Sequence, residues 1–483
     1  MDTLAKPILE NLSMRQFTND DTIAAISTPV GESGIGIVRM SGKGALAIAD
    51  NIFLSKDKEK PSQFKTHTVH YGWIIDKIKK PETSSQKPEI VDEVIVTVMR
   101  SPRTYTKEDI VEINCHGGVM ALGAVLDLVL ASGSRLAEPG EFTRRAFLNG
   151  RIDLAQAEAV LDIIRAKTDS ALKISIEQLK GSLSQKIKKI RGEALSALAV
   201  LEASIDFPEE ELGEANLKII GQQLENVNEG LTVMLETAHY GRLFREGVHS
   251  VICGRPNVGK SSLLNAILKQ ERSIVTSVPG TTRDTIEEII NIKGIPIRIV
   301  DTAGIIKPKD LVAHKAVARS KKYMREADLV ILVFDGSKKL APDDETLMKK
   351  LRNKPTLAVI NKIDLKQVIQ KQKIMKKFGT VVSVSAKKRT NMAALEDAVV
   401  DVVGKGRIVH PEAALVSNLR HIEKLRAAQK FIVQAHHSLD NTLSVEFIAQ
   451  DIKDAVRVLD EMLGKKFSED LLDKIFSEFC IGK

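Results

Sequence analysis

Apolar positions recur along this chain with two periods. Runs at Gly36 to Met40, Glu93 to Met99 and Ile110 to Asn114 sit between Pro- and Gly-bearing turns, which predicts strands. Helical stretches lie among them, so Asp21 to Gly150 reads as a compact α+β domain. No proline occurs from Gly140 to Phe207, and Leu154, Ala157, Val160, Leu161 and Ile164 follow the 3.6-residue spacing of a helix face. Long helices are expected there. From 250 to 405, strands and helices alternate in βα units. Beyond Pro411 proline is absent and helical spacing resumes to the end. Two helical stretches around an α/β block predict one helical domain interrupted by an inserted domain, an arrangement favoured because domain termini often lie close together. The expected divisions are a leader over 1–19, an N-terminal domain over 20–149, helical segments over 150–246 and 406–483, and an inserted α/β domain over 247–405.

Composition adjusts this picture little. At about 150 residues per domain, 483 residues suggest three domains. Aromatic residues are 4% of the chain, so its cores must be aliphatic. The net charge of +8 hints at a polyanionic partner. However, residues 250–405 hold 30 Lys and Arg against 16 Asp and Glu, a net +14. The flanking parts are therefore slightly acidic, and bulk charge gives them no case for nucleic-acid binding. Cys115, Cys253 and Cys480 are far apart and form neither a disulfide framework nor a CxxC pair, which points to a reducing compartment. No apolar run approaches a membrane span, and residues 1–19 lack the apolar core of a secretory signal. A cytoplasmic location with no membrane partner is expected.

The chemistry concentrates in the α/β block. Gly254-Arg255-Pro256-Asn257-Val258-Gly259-Lys260-Ser261, followed by Ser262, reads GxxxxGKS between an apolar strand and a helix, the setting of a P-loop. Its backbone N–H groups would wrap phosphates, Lys260 would reach the β/γ-phosphates and Ser261 would ligate Mg²⁺. The segment Thr276-Ser277-Val278-Pro279-Gly280-Thr281-Thr282-Arg283-Asp284 follows, in which Thr282 can add a second Mg²⁺ hydroxyl that senses the γ-phosphate. A strand over Ile297 to Val300 ends in Asp301-Thr302-Ala303-Gly304. Asp301 can hold the Mg²⁺ shell and the Gly304 N–H can meet the γ-phosphate. A strand over Leu357 to Ile360 ends in Asn361-Lys362-Ile363-Asp364. The Asp364 carboxylate can accept from guanine N1–H and the 2-amino group, a donor pair that adenine lacks. Ser385-Ala386-Lys387 follows the strand at Val381 to Val384 and can touch guanine O6. Four motifs in order, each after a strand, predict a GTPase with Lys260, Thr282 and Gly304 as catalytic groups. Ile305 stands where Ras-like proteins carry a water-orienting Gln, so another group or a monovalent cation must serve. Asn257 suits a potassium ion and equally suits a turn.

With Asn257, GTTRD, the insertion and the ending Phe479-Cys480-Ile481-Gly482-Lys483, the chain resembles the MnmE (TrmE) family of tRNA-modification GTPases. Further matching segments are Thr28-Pro29 to Arg39, Glu112 to Gly118, Pro139 to Asn149 and Asp153 to Ala159. The resemblance implies an α+β N-terminal domain that binds tetrahydrofolate and homodimerises, a discontinuous all-α domain and an inserted P-loop G domain. It implies GTP, Mg²⁺, K⁺ and 5,10-methylene- or 5-formyl-tetrahydrofolate as ligands, and G-domain dimerisation driven by hydrolysis. It also implies an FAD-dependent MnmG-like partner in a heterotetramer, and tRNA whose wobble uridine gains an aminomethyl-type group at C5. By that match, Arg39, Glu112, Arg151 and Lys483 fall at folate positions. Ser261 and Thr282 match magnesium ligands, and Asn257, Thr276, Val278 and Thr281 match a potassium loop. Cys480 becomes a catalytic candidate. Without the match, the four folate residues read as solvated surface charges and Cys480 as a small apolar residue. His116 before Gly117-Gly118 is open to a functional or a structural role.

One position departs from the family. The glutamate that orients the attacking water corresponds, counting without gaps from Asp301 to Arg319, to Ala313, with His314 next. Alanine cannot orient water; Asp310, His314 or a partner group would have to replace it. Slow GTP hydrolysis is expected. A second class of reading therefore stands beside the first: a hydrolysis-impaired GTP switch in RNA binding or ribosome assembly.

Overall fold

The computed structural model describes residues 21–76, 89–207, 213–268, 287–301, 325, 327–404, 416–441 and 443–483. The chain divides into two compact units. The described residues up to Ala157 join Phe467–Lys483 in the first, and Glu158–Lys466 form the second. The periodicity alone places this tail in the second helical segment, and the contacts group it with the N-terminal strands.

The first unit is built on strands β1 (Ile23–Ile26), β2 (Gly36–Ser41), β3 (Phe53–Ser55), β4 (Thr68–Asp76), β5 (Glu89–Met99), β6 (Ile110–Cys115) and β7 (Arg135–Leu136). They lie in the order β3-β4-β5-β6-β2-β1-β7, antiparallel except for β1 with β7. Side chains alternate across a strand, so each face has its own set. Ala24, Val38, Met40, Val96, Val98, Val111 and Ile113 pack with the helices Ala45–Ile52 and Val119–Ala131 on one face. Ile23 and Ala25 turn the other way, onto Ala137 and Phe142. That second face meets the helix Glu141–Leu148 through Phe142, and the helix Glu469–Phe476 packs on that helix.

The second unit contains a helical part and an α/β part. Helices Ser182–Asp206, Glu214–Glu246, Leu419–Asp440 and Val445–Leu463 pack in a ring, each against two others. Buried Leu183, Ile187, Ile190, Ala194, Ala197, Leu198 and Leu201 show the stripe that drives this packing. The helix Leu154–Arg165 differs in one respect from its predicted face. Ile164 is 44% exposed, while Glu158 and Asp162 are buried. Burial takes in Leu154, Ala155, Ala157, Glu158, Ala159, Leu161 and Asp162 and stops there, so Ile164 in the last turn lies outside it.

The α/β part holds β8 (Val248–Cys253), β9 (Glu287–Ile292), β10 (Ile295–Asp301), β11 (Leu329–Asp335), β12 (Thr356–Asn361) and β13 (Thr380–Ser383), in the order β13-β12-β11-β8-β10-β9. All neighbours are parallel except β9 with β10. A parallel sheet is covered on both faces and its strands read as continuous apolar runs. β11, Leu-Val-Ile-Leu-Val-Phe-Asp, is buried throughout. Its Leu329, Ile331 and Val333 enter one core and Val330, Leu332 and Phe334 the other. Both cores are aliphatic apart from three phenylalanines, Phe244 in one and Phe334 and Phe378 in the other, as the composition requires. Multidomain architecture with an α+β N-terminal part, a discontinuous helical part and an inserted α/β G domain is what the chain adopts.

Candidate functional site

In open α/β sheets ligands sit beyond the carboxyl ends of the strands, and β8, β11 and β12 all end at one place. The P-loop leaves β8, and the helix Lys260–Leu268 begins at its lysine. Gly259 has φ +96°, and a Cβ there would run into the Asn361 side-chain amide, so glycine is required. Asn257 has φ +64°, a left-handed conformation that Asn tolerates better than most residues. Its turn role is therefore real, and it coexists with exposure of its side chain to an incoming ligand. Lys260 is nearly buried; its Nζ donates to Gly254 O at 3.1 Å and Arg255 O at 2.9 Å. These neutral carbonyls hold the ammonium inside the loop, where phosphate oxygens would compete for it as charge-assisted acceptors. Ser261 and Ser262 stand exposed in the first helical turn.

The base-reading side is joined to this loop. Asn361 Nδ2 donates to Val258 O at 3.0 Å, and its Oδ1 accepts from Ala386 N at 3.0 Å. Lys362 Nζ donates to Asn257 O at 2.8 Å. Ser385 Oγ donates to Asp364 Oδ1 at 2.6 Å. That bond is the main reason the Asp364 carboxyl is held below its usual range. The group is an ionised acceptor at neutral pH. Asp301 closes β10. Thr276, Ser277, Val278, Pro279, Gly280, Thr281, Thr282, Thr302, Ala303, Gly304, Asp310, Ala313 and His314 lie outside the described residues.

A second constellation forms in the first unit. The β2–β6 register pairs Arg39 with Glu112, and Arg39 Nε donates to Glu112 Oε1 at 2.7 Å. Val38 and Met40 point to the helix-covered core, so Arg39 points to the other face, where its guanidinium lies 5.7 Å from the Phe142 ring centroid. The chain end closes on the same place. Gly482 O accepts from Arg39 Nη1 at 3.3 Å and from Ser27 Oγ at 3.2 Å. Gly482 has φ +93°, and a Cβ would strike Ile26 O. Lys483 O accepts from Phe142 N at 3.2 Å, and Phe479 is buried while Cys480 is exposed. Arg151 sits over the Tyr105 ring at 4.5 Å and donates to Tyr105 O at 3.2 Å; Tyr105 also packs against the Phe142 cluster. By contrast Cys115 and Cys253 are buried, and burial pushes their thiols up to about 11 and about 12, so neither is a nucleophile. His116 Nδ1 lies 2.7 Å from Asp92, which raises its basicity while leaving the ring exposed.

A family model described as the MnmE helical domain matches residues 154–480, and one described as the GTP-binding protein TrmE N-terminus matches residues 22–151. The tRNA modification GTPase MnmE of Alkaliphilus metalliredigens is 46% identical over 466 residues, 96% of this chain and 99% of that one. This chain belongs to the MnmE family. The like-named protein of Bacillus licheniformis is 44% identical over 466 residues, 96% of this chain and 100% of its own length. Among solved structures, a point variant of Aquifex aeolicus Era bound to GDP·AlF4⁻ is 32% identical, covering 38% of this chain and 65% of that chain at a TM-score of 0.27.

Two features of this MnmE-family chain escape sequence reasoning. Asp335, at the end of β11, accepts from Lys362 Nζ at 2.7 Å, and no motif spacing marks it. Glu158 and Asp162 form buried ion pairs with Arg420 and Arg245. Their signal was available: Glu158 is four residues after Leu154 and three before Leu161, a charge on an apolar face. Among the described residues no helix is long and apolar enough to cross a membrane.

Proposed function

We propose that the chain hydrolyses GTP and couples it to modification of C5 of the tRNA wobble uridine, working with an FAD-dependent MnmG-like partner. The observation that carries this reading is the joined array of P-loop, Asn361, Lys362 and ionised Asp364, in a chain that matches relatives named tRNA modification GTPase over nearly their full length. Lys260 neutralises the β/γ-phosphates. Asp364 reads the guanine edge and rejects adenine. Mg²⁺ on Ser261 and Thr282, and K⁺ on Asn257 with Thr276, Val278 and Thr281, would supply the charge that offsets the phosphates in the transition state. The exposed Ser261 and Asn257 suit those ions, since a hard cation takes oxygen ligands that incoming phosphate can share.

Tetrahydrofolate would supply the one-carbon unit. Glu112 and Arg39 suit it, the first for a pterin edge and the second for a glutamyl tail, with Lys483 bonded to Phe142 and Arg151 over Tyr105 at the border of the same cluster. The partly exposed Arg39–Glu112 pair offers both charges at one place, and the exposed Cys480 lies in the tail that borders it. Homodimerisation of the chain and pairing of its G domains complete the reading.

Ala313 gives the activity a characteristic weakness. Turnover in saturating GTP and potassium is expected to be slow, and Ala313→Glu is expected to raise it by about a hundredfold, the low end for one positioned acid–base group. GTP turnover of both forms in potassium and in sodium buffer checks this. No increase would favour the GTP-switch reading, to which alanine at the position of the family's glutamate also belongs.

A further inference from the structure

The P-loop is tied to the base-reading strand by two bonds of different character. Asn361 Nδ2 holds Val258 O directly. Lys362 Nζ holds Asn257 O, and a lysine is a flexible point charge on a four-carbon stem. Such a stem does not fix a carbonyl unless something fixes the ammonium. Asp335 does so. Its Oδ2 accepts from Lys362 Nζ at 2.7 Å. Its Oδ1 accepts from Ser337 N at 3.0 Å and Ser337 Oγ at 2.6 Å, which stops the carboxylate from turning.

The environment makes this anchor strong. The Asp335 side chain is 6% exposed and the Lys362 side chain 30%, so little water competes for either. Burial pushes the carboxyl up, but hydrogen bonds from Lys362 and Ser337 outweigh it and keep the group below its ordinary value. Asp335 also ends β11, the strand between β8, which leads to the P-loop, and β12, which leads to Lys362. It is therefore built between the two elements it links.

Asn257 is the residue on which the tie acts. Its backbone has φ +64° and its side chain is exposed. Carbonyl and side chain leave the same Cα, so fixing the carbonyl fixes the Cα–Cβ direction from which the amide is presented. We propose that Asp335 is a positioning residue that acts through Lys362 to fix Asn257, setting how long the P-loop retains nucleotide and how tightly it takes up potassium. The potassium half rests on the cation role proposed above for Asn257; the nucleotide half does not.

Asp335→Asn keeps the shape and removes the charge. In the full-length chain, release of fluorescent GDP is expected to quicken about tenfold, in the range for a lost charge-assisted bond. The half-activating potassium concentration is expected to rise about fivefold, a larger change than that in turnover at saturating potassium. Adding Asp335→Asn to Lys362→Met should produce no further change, because the aspartate has nothing left to act on. Ser337→Ala, which frees the carboxylate to turn, should shift the same quantities in the same direction by less, and it serves if Asp335→Asn does not fold. Unchanged GDP release, additive effects in the double variant, or a fall in turnover with half-activation fixed would each overturn the proposal. A parent chain indifferent to potassium would contradict the cation reading alone, and GDP release with the double variant would then decide the assignment of Asp335.

Discussion

In the proposed function, specificity at the nucleotide site comes down to a single carboxylate. Asp364 is ionised, fixed by Ser385 and placed on the strand end that Asn361 and Lys362 join to the P-loop. Replacing it with Asn exchanges an acceptor for a donor toward the base. Asp364→Asn is therefore expected to weaken GTP binding by at least about a hundredfold, the cost of leaving a base donor pair unmatched, and to admit xanthosine triphosphate, whose C2 carbonyl accepts from the amide. Competition of both triphosphates for bound fluorescent GDP measures this. The sequence marks this residue as a candidate by its spacing from Asn361, and the structure adds its bond from Ser385. Asp335 is not so marked, since the contact is made by strand order: β11 and β12 are neighbours in the sheet, with 26 positions separating Asp335 from Asn361 in the chain. Asn257 was half legible. Its residue type fits a turn and a cation equally, and the positive φ confirms only the turn.

Helices and strands were mostly legible from their periods, but the roles of charged positions within them were not. The helix Leu154–Arg165 illustrates why. Glu158 takes hydrogen bonds from Asn418 at 3.1 Å, Arg420 at 2.9 and 2.7 Å and His421 at 2.6 Å, all from the chain just beyond the inserted G domain. One turn on, Asp162 takes Arg245 at 2.7 Å, three residues before β8 begins on the way in. Both crossings of the insertion are thus clamped to one helix by acids four residues apart. Buried ion pairs are weak sources of net stability, yet losing one partner is costly. Glu158→Ala is expected to destabilise the chain by about 3–5 kcal/mol, read from denaturant midpoints. The pH dependence follows from the folded carboxyl. Burial pushes Glu158 up, but His421 and Arg420 more than reverse it and hold it well below its ordinary 4.5. Its contribution is then present above that value and lost as pH falls beneath it, because the unfolded chain takes up a proton that the folded one refuses. Burial raises Asp162 instead, which opposes this in part. Melting temperature should fall more steeply between about pH 5 and 3 in the parent chain than in Glu158→Ala.

At the scale of the whole molecule, charge and function sit apart. The basic excess of 250–405 belongs to the nucleotide-binding block, and the rest is slightly acidic. The two compact units each carry one constellation: the P-loop array in one, and Arg39, Glu112 and the chain end in the other. The tail's membership of the first unit was hidden from sequence, because its helix period matches that of the bundle helices before it. Its contacts assign it, among them those of Gly482 and Lys483 with Ser27, Arg39 and Phe142 and that of Asp473 with Arg144. A chain that merely switched with GTP would need the nucleotide constellation alone. One that modifies tRNA would need both. The most direct measurement is mass spectrometry of tRNA nucleosides from a bacterium lacking its own family member, complemented with this chain, with Lys260→Ala, or with nothing. The C5-modified wobble uridine should return with the parent chain and remain absent with the other two. An unmodified wobble uridine in cells that hold the folded parent chain would contradict the proposed function.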